Sequence, residues 1–290
     1  MDLFPRTTVG GVSVSRLIIG TNWFLGWSHT SAAKDTFIRN FQTRENIADI
    51  LAVFFERGVD AIMGMPLPIL REAMEEAQQR TGRKATLILT PGFNILPNGP
   101  AEQEPERVLD GCAAMGATFC LPHQSVTDAL VDRMHNTIRD IDTYTGMIRE
   151  RGMVPGLSTH MPETVTIADR TGADVETYVQ LYNAAGFLMQ VEADWVMRII
   201  KNAKKPVMTI KPLAAGRLLP PVGLAFVWNT IRDQDMVTIG TTTPDEAREV
   251  IDLSMDFLEK RLPANELQRT RSKAALDPRE PPARNGHRKS

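Results

Sequence analysis

The chain alternates short, wholly apolar runs with longer stretches in which apolar residues recur every three or four positions. Runs that are apolar on both faces are typical of buried parallel strands, and the longer period is typical of amphipathic helices. The eight predicted strands cover residues 15–21, 59–64, 85–90, 117–122, 153–159, 175–182, 206–212 and 236–241. The pattern therefore predicts an α/β protein built on a parallel sheet.

A predicted helix follows each strand. In the helix over residues 43–58, Ile47 and Phe54 lie on one apolar face, Thr43 can cap the N-terminus, and Gly58 can end the helix. The other helices are predicted over residues 67–80, 104–114, 138–151, 162–170, 194–203, 221–232 and 243–260. Eight strand-helix units with short links predict a (β/α)8 barrel. A doubly wound open sheet is the alternative, but no Gly-x-Gly-x-x-Gly follows the first strand.

The barrel is expected to occupy residues 1–262 as a single domain, since no linker-like or low-complexity stretch divides that part of the chain. Residues 263–290 are polar, rich in proline and basic side chains, and show no hydrophobic period. A segment of that composition cannot bury an apolar face, so we expect a disordered tail.

Composition and charge exclude several classes of partner. Lys and Arg number 33 against 35 Asp and Glu, so a formal charge of -2 provides no field that would attract nucleic acid or an anionic membrane. The two cysteines, Cys112 and Cys120, have no metal-binding spacing and are interpreted as buried thiols of a reducing compartment. No apolar run reaches the roughly 18 residues of a membrane span. We expect a cytoplasmic protein with a small-molecule substrate, either monomeric or a homo-oligomer.

Three of the five histidines fall where predicted strands end: His29 after the first, His123 after the fourth and His160 after the fifth. Active sites of such barrels lie at these ends. Imidazole titrates near neutral pH and coordinates transition metals, so we expect the three to act as acid, base or ligands of a divalent metal, with Glu192 as a further ligand. Lys211, after the seventh strand, could form a Schiff base or pair with an anion.

Other polar and aromatic residues at strand ends are candidates for binding substrate, with two tryptophans as a lid that excludes water. These candidates are Asn22, Trp23, Trp27, Gln180, Tyr182 and Asn183. Near the ends of the last two strands, Arg217, Thr241 and Thr242 could hold the phosphate of a cofactor, because the threonines precede a helix N-terminus.

The order of motifs resembles the aldo-keto reductase family over roughly residues 8–260. The matching pieces are VSRLIIGTN, FCLPHQ, GLSTHMPETV, VQLYNAA, IKPLAAGRL and TIGTTTPDEA. The resemblance implies an aldo-keto reductase-like (β/α)8 TIM barrel. It also implies the family's activity, the reduction of carbonyls with a nicotinamide dinucleotide, through an Asp, Tyr, Lys and His tetrad in which the tyrosine donates the proton.

Of that tetrad, only the histidine is present, as His123. Met63 stands at the position of the family's Asp and Pro91 at that of its Lys, while the stretch 65–68, where the Tyr belongs, contains no phenol. Proton donation to a carbonyl needs an acid tuned by its neighbours, and both the acid and its neighbouring lysine are missing. Ordinary aldo-keto reductase activity is therefore not expected.

The last motif also carries the acidic pair Asp245 and Glu246 where a basic residue would bind a 2′-phosphate. We expect a non-redox lyase, isomerase or hydrolase acting on a small polar oxygenated molecule, such as a sugar or keto acid, by histidine-based acid-base or metal-assisted chemistry. Two alternatives stay open. One is an NAD(P)-dependent oxidoreductase with an altered site, in which Tyr182 is the phenol at a strand end; the other is an inactive barrel that binds a ligand or regulates.

Overall fold

The structure, a computed structural model, describes residues 3–96 and 98–261, so the predicted tail over 263–290 lies outside the described residues. The chain begins with an antiparallel hairpin of β1 (Arg6–Val9) and β2 (Val12–Ser15). Val9 and Val14 of this hairpin are fully buried against side chains inside the barrel. The hairpin therefore covers the end of the barrel at which the strands begin.

Short parallel segments form the main sheet. They are β3 (Leu17–Gly20), β4 (Ala61–Gly64), β5 (Thr86–Leu89), β6 (Phe119–Cys120), β9 (Val154–Pro155), β10 (Leu157–Thr159), β11 (Tyr178–Leu181), β12 (Val207–Ile210) and β13 (Met236–Ile239). Between β6 and β9 the chain forms a small separate hairpin of β7 (Val131–Asp132) and β8 (Thr137–Ile138). The order across the main sheet is β10, β11, β12, β13, β3, β4, β5, β6 and β9.

The two ends of this sheet meet at Gly156. That residue alone separates β9, which pairs with β6, from β10, which pairs with β11, so the two segments are halves of one strand and the barrel has eight strands. Gly156 donates its N–H to the Cys120 carbonyl at 3.3 Å, and Leu157 donates to the Thr177 carbonyl at 3.1 Å. A Cβ atom at position 156 would lie 2.8 Å from both Leu121 Cγ and the Thr177 oxygen. Closure at this point requires glycine.

Helices surround the barrel: α1 (Ala32–Phe41), α2 (Arg44–Glu56), α3 (Pro68–Thr81), α4 (Pro105–Ala114), α5 (Gln124–Leu130), α6 (Ile141–Glu150), α7 (Pro162–Thr171), α8 (Ala193–Asn202), α9 (Pro220–Thr230) and α10 (Pro244–Leu258). All eight predicted strands and helices are present, and the predicted (β/α)8 barrel is confirmed. Thr43 caps α2 as expected, accepting a hydrogen bond from the Asn46 N–H at 3.2 Å. None of the described helices is long and apolar enough to cross a membrane.

Side chains along each strand alternate between the barrel interior and the surrounding helices. The interior is filled by Ile18, Ala61, Met63, Ile88, Phe119, Leu121, Val179, Met208 and Met236. On β11, Val179 points inward, so Tyr178 and Gln180 face the helices. This alternation decides which residues near a strand end can reach a ligand at the barrel mouth.

Candidate active site

A cavity of about 470 Å³ lies at the mouth of the barrel, where the parallel strands end. Its volume is in the range of small-molecule sites. Four ionisable side chains predicted from the sequence line it together: His29, His123, His160 and Lys211. They come from four different strand ends, as the barrel geometry requires of a shared site.

His123 is the N-cap of α5, and its position is fixed by its own backbone and by Ser125. Its N–H donates to the Pro91 carbonyl at 2.9 Å. The Ser125 N–H donates to His123 Nδ1 at 3.3 Å, and the Ser125 hydroxyl lies 2.8 Å from the same nitrogen. Because Nδ1 accepts, we assign the proton of the neutral ring to Nε2. Burial and then the nearby Lys211 ammonium lower the pKa of His123, so at neutral pH it can offer Nε2–H as a donor.

His160 follows β10 and is tied to the helix that begins at His123. The Asp128 carboxylate on α5 accepts hydrogen bonds from the His160 N–H, at 3.0 Å, and from the Thr159 hydroxyl. Burial, followed by the charges of Lys211, His123 and His29, lowers the pKa of His160 to about 4. Its imidazole is therefore neutral at physiological pH and can accept a proton. Hydrophobic periodicity does not indicate Asp128, because α5 has only seven residues, too few to show a helical period.

Lys211 and His29 form a direct pair at the mouth. Lys211 Nζ lies 2.7 Å from His29 Nε2, and because an ammonium has only N–H donors, the imidazole nitrogen accepts. Burial lowers the pKa of Lys211 to about 8. Burial is also the largest cause of the lowered pKa of His29, followed by the Lys211 charge. Lys211 and His29 have φ values of 60° and 56°, a conformation that is costly outside glycine and that clusters at functional sites.

The part of the cavity wall formed by Lys211 and the three histidines is positively charged or neutral, and its side chains carry several exchangeable protons. The lining residues that carry carboxylates are Glu246 and Glu249 on α10. Around Lys211 the ionisable neighbours are imidazoles. Such a set attracts an anionic or electron-rich oxygen and can both donate and accept protons.

The predicted lid residues line the cavity. Asn22, Trp23 and Trp27 all contribute to its wall. The Trp23 indole packs on the loops after β12 and β13, since a Cβ atom at Gly240 would lie 2.8 Å from Trp23 Cδ1 and one at Gly216 would lie 3.8 Å from Cη2. Trp27 is 38% exposed and lies at the rim. The two indoles reduce solvent access from the side of the first barrel strand.

Three predicted substrate-binding residues lie elsewhere. Gln180 faces the helices by the alternation of β11, and the Tyr182 hydroxyl lies 2.9 Å from the hydroxyl of Thr230 on α9. The Asn183 side chain bonds both backbone groups of Phe187, at 2.8 and 3.1 Å. The expectation that these three bind substrate is corrected, because their side chains are fully buried and none of them lines the cavity. Tyr182 is also removed as a replacement proton donor.

Three of the four predicted metal ligands, the histidines, share the cavity, but they are not arranged around a common metal position. Glu192 is the N-cap of α8 and is not part of the cavity lining. Within the described ranges, no group of three or more His, Cys, Asp or Glu side chains is arranged to hold a metal ion. The physical reason lies at His29, whose Nε2 already accepts from Lys211. A cation at that nitrogen would meet the ammonium.

The helix N-terminus predicted to hold a cofactor phosphate contains a protein carboxylate. Glu246 accepts hydrogen bonds from the Thr242 N–H at 2.6 Å and from its hydroxyl at 2.9 Å. Thr243 caps the helix by accepting from the Glu246 N–H at 3.2 Å. The favourable position for an anion at the start of α10 is therefore filled by Glu246 itself. Thr242 is not free to bind a phosphate, although Thr241 does line the cavity.

Arg217 is also engaged. Its guanidinium donates to the Ala214 carbonyl at 3.1 Å and lies 4.0 Å over the Phe187 ring. Together with Glu246 and Glu249, this leaves the α10 side of the cavity without a free basic group from the predicted set. Carboxylates and not basic side chains line the cavity at α10, which is an unfavourable setting for the phosphates of a nicotinamide dinucleotide.

The remaining positions of the reductase tetrad are apolar. Met63 lines the cavity, and Pro91 uses its carbonyl to hold the His123 backbone. The chain has three tyrosines, and none of them lines the cavity. Tyr178 donates to Asp169 on α7 at 2.7 Å, and Tyr144 packs on Phe93. The structure thus offers no phenol to a carbonyl bound beside His123.

No protein-family model matches the chain, and no curated protein matches it. Solved structures do. A protein from Pseudomonas aeruginosa described as a candidate aldo-keto reductase matches with a TM-score of 0.63 and 17% identity over 89% of this chain and 98% of that one. An aldo-keto reductase from Brucella melitensis matches at 0.56 and 12%, over 89% and 98%.

Barrels of other chemistry match as well. Orotidine 5′-monophosphate decarboxylase from Methanocaldococcus jannaschii gives a TM-score of 0.50 and 13% identity over 83% of this chain and 96% of that one. At such identities the likeness concerns the fold and not the reaction. The described part of the chain therefore has a (β/α)8 TIM-barrel fold that is similar to the fold of these aldo-keto reductases.

Proposed function

We propose that this chain is a non-redox enzyme, a lyase or isomerase, that moves protons on a small oxygenated carbonyl compound such as a keto acid or sugar. One observation carries the proposal: His29, His123, His160 and Lys211 line one cavity in which the tyrosine and aspartate of a carbonyl reductase are absent. A hydrolase would use the same groups, but the serine hydroxyl that pairs with His123, that of Ser125, belongs to a residue that does not line the cavity.

Two hydrogen-bond donors in the cavity, on Lys211 and His123, are suited to binding an oxygen atom of the substrate. Lys211 brings an ammonium, and His123 brings the Nε2–H that its Nδ1 contacts leave as a donor. Donors aimed at an oxygen that gains negative charge stabilise an enolate-like transition state more than the ground state. These two residues would therefore hold the carbonyl oxygen or a carboxylate of the substrate.

His160 is the candidate base. It is neutral at physiological pH because burial and the surrounding positive charges lower its pKa to about 4. An anionic substrate beside it would raise that pKa towards the working pH, because an opposite charge favours the imidazolium. A negatively charged ligand such as a keto acid thus makes His160 a stronger base, and the position of His160 is kept by the Asp128 carboxylate.

The proposal is tested by incubating the full chain in D2O with a panel of 2-keto acids, aldoses and ketoses and following carbon-bound protons by NMR. We expect exchange or conversion of at least one compound. Replacing His123 or His160 by Asn should slow it by roughly 10²–10⁴-fold, the usual contribution of a general acid or base.

His135→Asn is the matched control, because His135 is 77% exposed and pairs with Asp132 away from the cavity. It should leave the rate unchanged. A panel in which no compound exchanges, or exchange that survives both cavity substitutions, would contradict the proposed function.

A further inference from the structure

We propose that Lys211 forms a covalent imine with the carbonyl carbon of the substrate, which makes the protein an imine-forming lyase for 2-keto acids or ketoses. This inference rests on the proposed function and adds a covalent step to it: the Lys211 ammonium that first binds the substrate loses a proton and attacks the carbonyl carbon, while His123 keeps its hydrogen bond to the oxygen. Among the described residues, Lys211 is the lysine that lines the cavity, together with the three histidines.

The partner of Lys211 distinguishes it from the surface lysines. In the part of the chain that the structure describes, Lys211 Nζ bonds the imidazole of His29, and no carboxylate pairs with it. Lys205 instead pairs with the Glu176 carboxylate at 3.1 Å. A carboxylate holds an ammonium in its charged form, whereas a neutral imidazole can take the proton and leave a free amine.

The surroundings of Lys211 also favour the neutral amine. Apolar lining residues, among them Ile210, Pro212 and Leu213, adjoin it in the chain and limit its hydration. Burial lowers its pKa to about 8, which leaves a useful fraction of free amine near neutral pH. Its positive φ sets the direction in which the side chain leaves the strand end. The nucleophile is thus held at the mouth by its backbone.

The step balances without an oxidant or a reductant. His29 or His160 takes a proton from the Lys211 ammonium, and the resulting free amine adds to the carbonyl carbon. One amine N–H proton moves to the carbonyl oxygen and gives a neutral carbinolamine. The imidazolium then returns its proton to the hydroxyl, which leaves as water, and the imine nitrogen is left protonated. The protonated imine withdraws electrons from the C–H bond of the adjacent carbon, whose proton passes to a neutral imidazole, or from a C–C bond whose other fragment leaves as an aldehyde after its hydroxyl proton passes to that imidazole. Return of a proton to the enamine carbon and hydrolysis by water restore the lysine.

The test traps the imine in the wild-type full chain. The protein is incubated separately with pyruvate and with glycolaldehyde in the presence of cyanoborohydride, and its peptides are analysed by mass spectrometry. Reduction of an imine adds the mass of the carbonyl compound minus one oxygen atom. We expect the Lys211 peptide to be labelled on the order of tenfold faster than those of Lys204 and Lys205, as an activated amine should be. Labelling of Lys211 no faster than these surface lysines overturns the proposal.

A second arm separates this inference from the proposed function. Lys211→Arg keeps a positive charge but cannot form an imine, and its fold is checked by circular dichroism and thermal unfolding. We expect this variant to lose the proton exchange seen in D2O. If Lys211→Arg exchanges protons at the wild-type rate and His123→Asn does not exchange them, the imine is overturned and the acid-base chemistry of the proposed function stands. Should no panel compound exchange with the wild-type protein, the proposed function fails, whatever the labelling shows.

Discussion

The closure of the barrel at Gly156 predicts a large effect from a single methyl group. In Gly156→Ala the new Cβ would lie 2.8 Å from Leu121 Cγ, from Thr177 Cγ2 and from the Thr177 carbonyl oxygen. One of these atoms is backbone, so side-chain movement alone cannot relieve the contact. Overpacking of this kind costs about 1–3 kcal/mol. For a domain of this size that cost corresponds to a fall in Tm of roughly 3–10 °C.

Gly111→Ala is the matched control. Gly111 lies inside α4, and a Cβ atom there would meet nothing within 4 Å. Alanine is the better helix former by about 0.5–1 kcal/mol, so this variant should be more stable than the wild type. The same chemical change should thus shift Tm in opposite directions at the two sites.

The consequence for the site follows from β10, which carries Ser158 and leads directly to His160. Displacing this half-strand from β11 would move His160 relative to His123, so exchange activity should fall in Gly156→Ala and not in Gly111→Ala. Thermal unfolding by calorimetry and the D2O assay measure the two effects. A Gly156→Ala protein with the Tm and activity of the wild type would refute the view that a tight closure at this glycine positions His160.

Further predictions concern the cofactor and the titrating groups. The protein should reduce a broad panel of aldehydes at a negligible rate with either nicotinamide dinucleotide, as measured by the absorbance of the reduced cofactor. Sustained turnover would contradict the inference that Met63 and Pro91, at the positions of the family's Asp and Lys, abolish carbonyl reduction. In titration calorimetry, a 2′-phosphorylated dinucleotide should bind no better than the plain form. Glu246→Gln keeps the size of the side chain but removes its charge from the N-terminus of α10, so it should lower the free energy of unfolding by about 0.3–1 kcal/mol. Because the folded-state pKa of His160 is about 4, below its unfolded value, stability should decline as pH falls from about 6.5 towards 4. The groups whose charges face His160 are Lys211, His123 and His29. In denaturant titrations, the free energy of unfolding of His160→Gln should fall by about 1–3 kcal/mol less over that interval than that of the wild type. An identical pH dependence in both proteins would contradict a buried imidazole with a lowered pKa.

The architecture could be read from the sequence because buried parallel strands and amphipathic helices leave distinct periods. All eight strand-helix units follow that rule. Hydrophobic periodicity could not predict α5, because seven residues are too few to show a helical repeat, and for the same reason it could not predict Asp128, which lies on that helix. Gly156 was not recognised as the closing residue, since nothing local distinguishes a glycine that is approached by neighbouring strands from one in a turn.

The candidate site could be predicted only in part. The barrel rule located His29, His123, His160 and Lys211, because each lies just beyond a strand end. It could not place Gln180, since a strand that is apolar on both faces does not reveal which alternate residues point inward. Contacts between side chains far apart in the chain, such as that of Lys211 with His29, have no sequence signal at all.

The origin of the hydrogen that is delivered to the substrate tests proton transfer against hydride transfer most directly. The compound that turns over in the panel is incubated with the protein in D2O, together with a reduced nicotinamide dinucleotide carrying tritium at the transferable position, and both isotopes are located in the product. Non-redox chemistry at His123, His160 and Lys211 predicts deuterium from solvent on the substrate carbon and no tritium. Tritium on that carbon would show hydride transfer and contradict the proposed function.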